Sequence, residues 1–393
     1  MTERLYYHDS YLMEFRARIL EASPDRRKIY LDRTAFYPAS GGQPFDTGRL
    51  GGADVTEVLD EDGRVAHVLN RPAAEEEIEG VIDWNRRFDH MQQHTGQHLL
   101  SAVLIELFNA PTVSFHLGAE VSTIDISRPL EPNQLRVAER RANQIVFENR
   151  PVLVSFEDSS QDLGLRKPTE RQGAVRIVTI QDLDRSACGG THVRGTAEIG
   201  PILMRKLDRI RGDQRIEFVC GMRAVERAQA DYIALAAVAR ALSVGLDETP
   251  AVVRSNQEKL QESEKVRRRL ATELAQAKGR ELHAATSPGT DGLRRIERRV
   301  ATISDELRAE AQSFTAGGKA LFMALAEDPP SVLLAASKDS GINAGEVLKA
   351  ALAEAGGRGG GSPMVAQGSL GSKESLERFL SSSVLRFRST TSS

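Results

Sequence analysis

His94-Thr95-Gly96-Gln97-His98 carries two histidines four residues apart. Residues at i and i+4 stack on one face of a helix, so both imidazoles can reach a single ion. The flanking residues support a helix. From Leu99 onward, Leu99, Leu100, Val103, Leu104 and Leu107 fall at helical spacing and predict one buried stripe. Far along the chain, Cys188-Gly189-Gly190-Thr191-His192 repeats the four-residue spacing. Two such pairs from separate segments have the composition of a closed site of one cysteine and three histidines.

His90 adds a rung, because His90, His94 and His98 form a ladder of i+4 steps. With a rise of about 1.5 Å per residue, the outer rungs stand about 12 Å apart, too far for one ion to bind all three easily. The residues alone leave two pairs open, His90/His94 and His94/His98. A zinc-protease helix is disfavoured, since Thr95 stands where such helices carry a glutamate base. The chain has only two cysteines, Cys188 and Cys220, so a disulfide framework is not the design. Cys220 lies in the strand-like run Ile216 to Cys220 and reads as a core thiol. Gly189 and Gly190 let the backbone after Cys188 bend tightly.

The runs "HMQQHTGQHLLSAVL" (90–104) and "SACGGTHVRGTAEIG" (186–200), preceded by "TAFYPASGGQPFDTG" (34–48), carry a resemblance. Together they resemble the editing domain of alanyl-tRNA synthetase and its free-standing relatives, the AlaX proteins. The threonyl-tRNA synthetase editing domain is a more distant cousin. The match extends over residues 30 to 220, and the later chain resembles the long form of AlaX with the C-terminal domain of alanyl-tRNA synthetase. The resemblance implies that His94, His98, Cys188 and His192 hold one Zn2+ per chain. It implies hydrolysis of the ester of mischarged tRNA(Ala), carrying serine or glycine. It also implies that Gly41, Gly42 and Gln43 line the substrate pocket, with Gln43 orienting the ester or the terminal ribose. Thr34 is then the candidate hydroxyl for reading the bound amino acid. Four protein ligands saturate the metal, so zinc is expected to position substrate rather than to carry hydroxide.

The expected fold class is α+β. Residues 1–85 read as a small β-barrel-like domain, with short strands and a hairpin turn at Asp60-Glu61-Asp62-Gly63. Residues 86–222 read as a two-layer α/β zinc editing domain. In it, Glu131-Pro132 opens a helix that buries Leu135, Ala138, Ala142, Ile145 and Val146. Residues 223–316 read as an antiparallel helical hairpin. Its second arm is a coiled-coil seam of Leu293, Ile296, Val300, Ile303, Leu307 and Phe314. Residues 317–393 read as a small C-terminal α/β domain, of the kind that in the family contacts tRNA and contributes to dimerisation. Gly356 to Pro363 could by composition be a flexible linker, and the tail Ser389 to Ser393 is expected to be disordered.

Over 393 residues the net charge is only −3, so any RNA-binding surface must be local. Candidate contacts are Arg205, Lys206, Arg209, Arg211 and Arg215, then Arg267 to Arg269, Arg294, Arg295, Arg298 and Arg299. The start lacks a signal-peptide layout, and Tyr232 to Leu242 is too short for a membrane span, so a cytoplasmic protein is expected. No aminoacylation signature precedes the editing region, which predicts action in trans. The expected partners are mischarged tRNA(Ala) and a second copy of the chain through its helical and C-terminal regions. Two alternatives stand beside this: a tRNA-binding module without activity, and a zinc hydrolase acting on another ester.

Overall fold

The helix that carries His94 and His98, α1 (Trp84–Phe108), starts at Asp83, whose side chain caps Arg86 N, and stops at Asn109 in the left-handed region. Its second half is buried all round, from His90 to Leu104. One side meets the apolar core and the other meets the ligand-bearing loop, so no solvent-facing stripe is needed there. The computed structural model describes residues 1–170, 172–210 and 212–382. They fall into two compact units, Met1–Val238 and Ala239–Ser393.

The first unit begins with β1 (Glu3–Arg4) and eight short strands in all: β2 (Glu14–Ala22), β3 (Lys28–Leu31), β4 (Arg33–Thr34), β5 (Gly48–Leu50), β6 (Ala53–Glu61), β7 (Arg64–Leu69) and β8 (Glu77–Ile82). Six of them close on themselves in the order β2-β3-β7-β6-β5-β8. Alternation along β2 sends Phe15, Ala17 and Ile19 inward, where they meet Ile29, Leu31, Val58 and Val65. Asp62 and Gly63 both take positive φ between the paired residues Glu61 and Arg64, the geometry a two-residue hairpin requires.

Behind the barrel come β9 (Thr112–Leu117), β10 (Ser122–Ile126) and α2 (Pro132–Glu148). Next are β11 (Val152–Asp158), β12 (Ala174–Ile180), β13 (Asp184–Ala187), β14 (Ile202–Ile210) and β15 (Asp213–Cys220). α1 and α2 cover the antiparallel sheet β14-β15-β10-β9, and β11-β12-β13 forms a separate antiparallel sheet. α2 opens on a capping box between Glu131 and Gln134, with Pro132 in its first turn, and buries Leu135, Ala138, Ala142, Ile145 and Val146. Cys220 is fully buried, as a core thiol should be.

α3 (Gly221–Leu242) runs across the division between the units, and the second unit continues with α4 (Thr249–Ala285). Here the expected hairpin needs correction. Arg294–Val300 is not helical but a strand, β16, paired in parallel with β17 (Ala320–Glu327). The reason is a degeneracy in spacing. Residues four apart, such as Ile296 and Val300, share a face in a helix and in a strand alike. α4 has already ended at Ala285, with Thr286 in extended backbone, and Arg298 lies over the Phe322 ring while pairing with Glu310. Only α5 (Asp305–Ala316) keeps the helical seam, burying Phe314. It approaches α4 closely at Gly279, where a Cβ would stand 2.3 Å from Glu310 O.

β16 and α5 therefore belong with the sheet of β17, β18 (Pro330–Ala336), β19 (Arg358–Gly361) and β20 (Val365–Ser369), in the order β16-β17-β18-β20-β19. The boundary expected at residue 316 runs through this layer. α6 (Ala344–Ala355) ends at left-handed Gly356, and α7 (Lys373–Leu380) completes the unit. The glycine-rich run is not a linker over Arg358–Gly361, which pairs antiparallel with β20. Ser389 to Ser393 lies outside the described residues. Among the described residues no helix is long and apolar enough to cross a membrane.

Candidate metal centre and its cavity

His94, His98, Cys188 and His192 converge, with one donor atom from each lying within 4.8 Å of the others. Cys188 Sγ stands 3.3 Å from His192 Nε2 and 3.5 Å from His94 Nε2. A tetrahedral ion with bonds of about 2.0–2.3 Å to nitrogen and sulfur has edges of about 3.5 Å, so the donor set fits such an ion in kind and in spacing. The close approach depends on Gly190. A Cβ there would sit 2.2 Å from His94 Cε1, so no larger residue fits with the helix in place. Gly96 serves the opposite face of α1, where a Cβ would meet Cys220 Sγ at 2.3 Å.

Each histidine is held by its other nitrogen. His94 Nδ1 donates to Gln43 Oε1 at 2.7 Å, His98 Nδ1 to Asp184 Oδ2 at 3.0 Å, and His192 Nδ1 to Thr95 Oγ1 at 3.1 Å. All three Nε2 atoms are thereby left for the ion, the arrangement that fixes tautomer and ring orientation in metal sites. The partners are themselves fixed. Gln43 Nε2 donates to Thr191 Oγ1 at 2.9 Å, and Asp184 also accepts from Arg166 Nε at 2.6 Å and Ser186 Oγ at 2.9 Å. Burial opposes ionisation of the Cys188 thiol, but the charges and hydrogen bonds of His94 and His192 outweigh it and hold its pKa well below the ordinary value. Burial pushes His192 down to about 3, toward the neutral ring a metal needs.

Above the ligands opens a cavity of about 470 Å³, lined among others by Tyr7, Tyr37, Gly41, Gln97, Phe115 and Lys167. Gly41 thus stands where the glycine-rich motif was expected. Gly42, with φ +81, packs against Phe115, and its carbonyl accepts from Leu117 N at 3.1 Å. Gln43 is buried outside the cavity lining, with its Oε1 on His94 Nδ1. Thr34 lies elsewhere. It is fully buried at the barrel, its hydroxyl meets His67 Nε2 at 2.9 Å and accepts from Phe36 N at 3.1 Å, and it does not line the cavity. β4, which holds Thr34, precedes the loop by several residues, and the intervening Phe36 packs into the barrel core. His90 stays out of the cluster, so His94 and His98 are the pair that meets Cys188 and His192.

The sequence comparisons agree with this geometry. Residues 175–217 match the "Threonyl and Alanyl tRNA synthetase second additional domain", and residues 297–386 match the "DHHA1 domain". The chain is 31% identical to the alanyl-tRNA editing protein AlaX-L of Pyrococcus horikoshii, over 95% of this chain and 96% of that one. The chain belongs to the AlaX family. It also matches the alanyl-tRNA editing protein AlaX-M of Methanosarcina acetivorans, 37% identical over 53% of this chain and 94% of that one. The alanine–tRNA ligase of Pyrococcus abyssi is 33% identical over 93% of this chain, which spans 42% of that enzyme's length.

Several residues of this AlaX chain matter to the site without having been legible beforehand. Asp46 and Arg87 are fully buried and bonded to each other, with Arg87 Nε 3.0 Å from both carboxylate oxygens. Arg87 also donates to Ser10 O at 2.9 Å, and Asp46 accepts from Tyr37 N at 2.6 Å. The pair ties the glycine-rich loop to α1. Only the fold brings this carboxylate to the helix, from 41 residues away. Of the cations singled out in the sequence, Arg205 pairs with Asp231, Lys206 with Asp208, Arg215 with Asp125, Arg295 with Asp291 and Arg298 with Glu310. Arg211 lies outside the described residues.

Proposed function

We propose that this chain hydrolyses the ester of mischarged tRNA(Ala), using a zinc ion held by His94, His98, Cys188 and His192. One observation carries the reading: four pre-oriented metal donors converge beneath an open cavity, with His94, His98 and Cys188 in its lining, in a chain similar to AlaX-L over 95% of its length. When bound, zinc supplies a fixed positive charge at the cavity floor, and four protein ligands leave it no open position. The remaining work falls to the chain. Gln43, Asp184 and Thr95 hold the ligand rings, and the backbone at Gly41 shapes the cavity wall beside the ester. Water adds to the ester carbonyl, the acyl–oxygen bond breaks, and free amino acid and the tRNA 3′-hydroxyl result.

Selection of serine falls to Gln97 in this reading, in place of Thr34. Gln97 lines the cavity between the two histidines of α1. Its amide nitrogen donates to Ser101 Oγ at 2.8 Å, and Ser101 Oγ bonds Thr112 Oγ1 at 2.7 Å. Its Oε1 is buried with no partner among the described residues. A hydroxyl on the amino acid supplies the missing donor, whereas the methyl of alanine leaves the acceptor unpaired. Recognition of that kind can discriminate by about 10⁴-fold, where a purely steric sieve gives about 10–200-fold. A homodimer is part of the reading, supported by Leu260, Leu270 and Leu274 of α4, each more than half exposed.

The test is deacylation of Ser-tRNA(Ala), Gly-tRNA(Ala) and Ala-tRNA(Ala) by purified protein, beside a Cys188→Ala variant. The expected result is fast loss of the serine ester with the alanine ester spared, and joint loss of zinc and rate in the variant. Zinc-loaded protein that hydrolyses none of the three esters would be a tRNA-binding module. A variant free of zinc but fully active would remove the metal from the reaction.

A further inference from the structure

Lys167 sits in the connection between β11 and β12, at the lip of the cavity. The lining offers three cations, and two are already neutralised. Arg4 pairs with Asp60 at 2.7 Å, and Arg166 with Asp184 at 2.6 Å. Lys167 is exposed and has no carboxylate partner among the described residues. Among the described residues Asp60 is the only carboxylate in the lining, and Arg4 compensates it. The lip therefore carries one uncompensated positive charge, which draws anions to this mouth.

Its position is fixed from both sides. Immediately before it, Arg166 N donates to Arg185 O at 2.8 Å, and the Arg166 guanidinium reaches Asp184 and, at 3.1 Å, Ser186 Oγ. Immediately after it, Pro168 restricts Lys167 to extended backbone. Asp184 is also the carboxylate that holds His98, so one side chain sets both a metal ligand and the lip.

The chemistry of the substrate decides what such a cation meets. An aminoacyl ester has no free carboxylate, and its amino group is itself a cation. The anions nearest the reacting carbonyl are the phosphodiesters of the RNA 3′ end. We propose that Lys167 binds a phosphate of that 3′ end as it enters the cavity, with Arg166 and Asp184 setting the spacing between this contact and the metal ligands. The proposal rests on the function proposed above.

The test uses the full chain, zinc-loaded, as wild type, Lys167→Ala and Lys167→Arg, with Ser-tRNA(Ala) over a series of salt concentrations. For Lys167→Ala, KM is expected to rise about tenfold, the size of one charge-assisted contact. The change in kcat should stay within about twofold, and the slope of log(kcat/KM) against log[salt] should shrink by about 0.7–1. Lys167→Arg should restore both. Binding of uncharged tRNA should show the same defect, and the defect should vanish on tRNA trimmed of its last nucleotides. If wild type deacylates while Lys167→Ala keeps its KM and salt slope, the phosphate contact is wrong. A defect that persists on trimmed tRNA overturns it too, by placing the contact elsewhere. If wild type deacylates nothing, the hydrolase reading fails, and the comparison of full and trimmed tRNA still decides the contact.

Discussion

Asp184 Oδ2 accepts from His98 Nδ1 at 3.0 Å while Asp184 Oδ1 accepts from Arg166 at 2.6 Å, so one buried carboxylate aims a metal ligand and anchors the loop at the cavity lip. Carboxylate support of this kind sharpens ligand orientation and basicity. Asp184→Asn keeps the shape and removes the charge. Zinc affinity, measured by competition with a chromophoric chelator, is expected to fall by about 10–100-fold. Unchanged affinity would mean that the ring is held well enough by packing alone.

Thr34 and Gln97 make opposite predictions for selectivity. Thr34→Val removes a buried hydroxyl that serves His67 and Phe36 N. It should cost about 1–2 kcal/mol in urea unfolding, with the ratio of serine-ester to alanine-ester hydrolysis left as it was. Gln97→Leu removes the buried, unpaired acceptor Oε1 of a cavity-lining residue. It should lower that ratio by at least about tenfold while zinc content stays full. Selectivity lost in the Thr34 variant and kept in the Gln97 variant would reverse the assignment.

Arg87 and Asp46 form a fully buried ion pair between α1 and the glycine-rich loop. Removing one partner strands the other charge in a dry site, which costs about 3–5 kcal/mol. Asp46→Ala should therefore lower stability by that order. A double variant, Arg87→Met with Asp46→Leu, should recover most of the loss if the cost lies in the stranded charge. A double variant no better than the single would show that the hydrogen bonds to Ser10 O and Tyr37 N carry the joint instead.

Metal chemistry left a mark in local spacing, pairs at i and i+4 with glycines beside Cys188, but spacing alone kept His90/His94 and His94/His98 both open, and only the family resemblance favoured the second. α2 was legible for a similar reason, since its capping residues and apolar stripe are contiguous. What failed was long-range or degenerate. Ile296 and Val300 fit a helical seam and a strand face equally well, and β17, distant in sequence, decides between them. Thr34 heads the motif that does reach the cavity, yet the barrel turns its side chain toward His67, a contact across 33 residues that no local pattern announces. The bond between Gln43 Oε1 and His94 Nδ1 is likewise long-range, spanning 51 residues, and no local pattern announces it.

His67 should leave a signature in the pH dependence of stability. It is fully buried in the barrel domain, and burial pushes its pKa from 6.5 down to about 4 against a backbone hydrogen bond at Ile29 that raises it. The folded chain holds the ring neutral, while the unfolded chain takes up a proton below 6.5. Below that pH the unfolded state binds more protons, so stability is lost as pH falls from 6.5 and the loss is complete below about 4. Between about pH 7.5 and about pH 5 the group should remove about 2 kcal/mol. A His67→Gln variant lacks this contribution. Unfolding free energies of the two proteins should therefore converge by about that amount as the pH is lowered over this range. Metal loss at low pH enters both proteins alike and cancels in the difference. A difference that stays constant with pH would mean that His67 titrates in the folded barrel as it does in the unfolded chain, and one that widens as pH falls would mean that the fold holds it protonated.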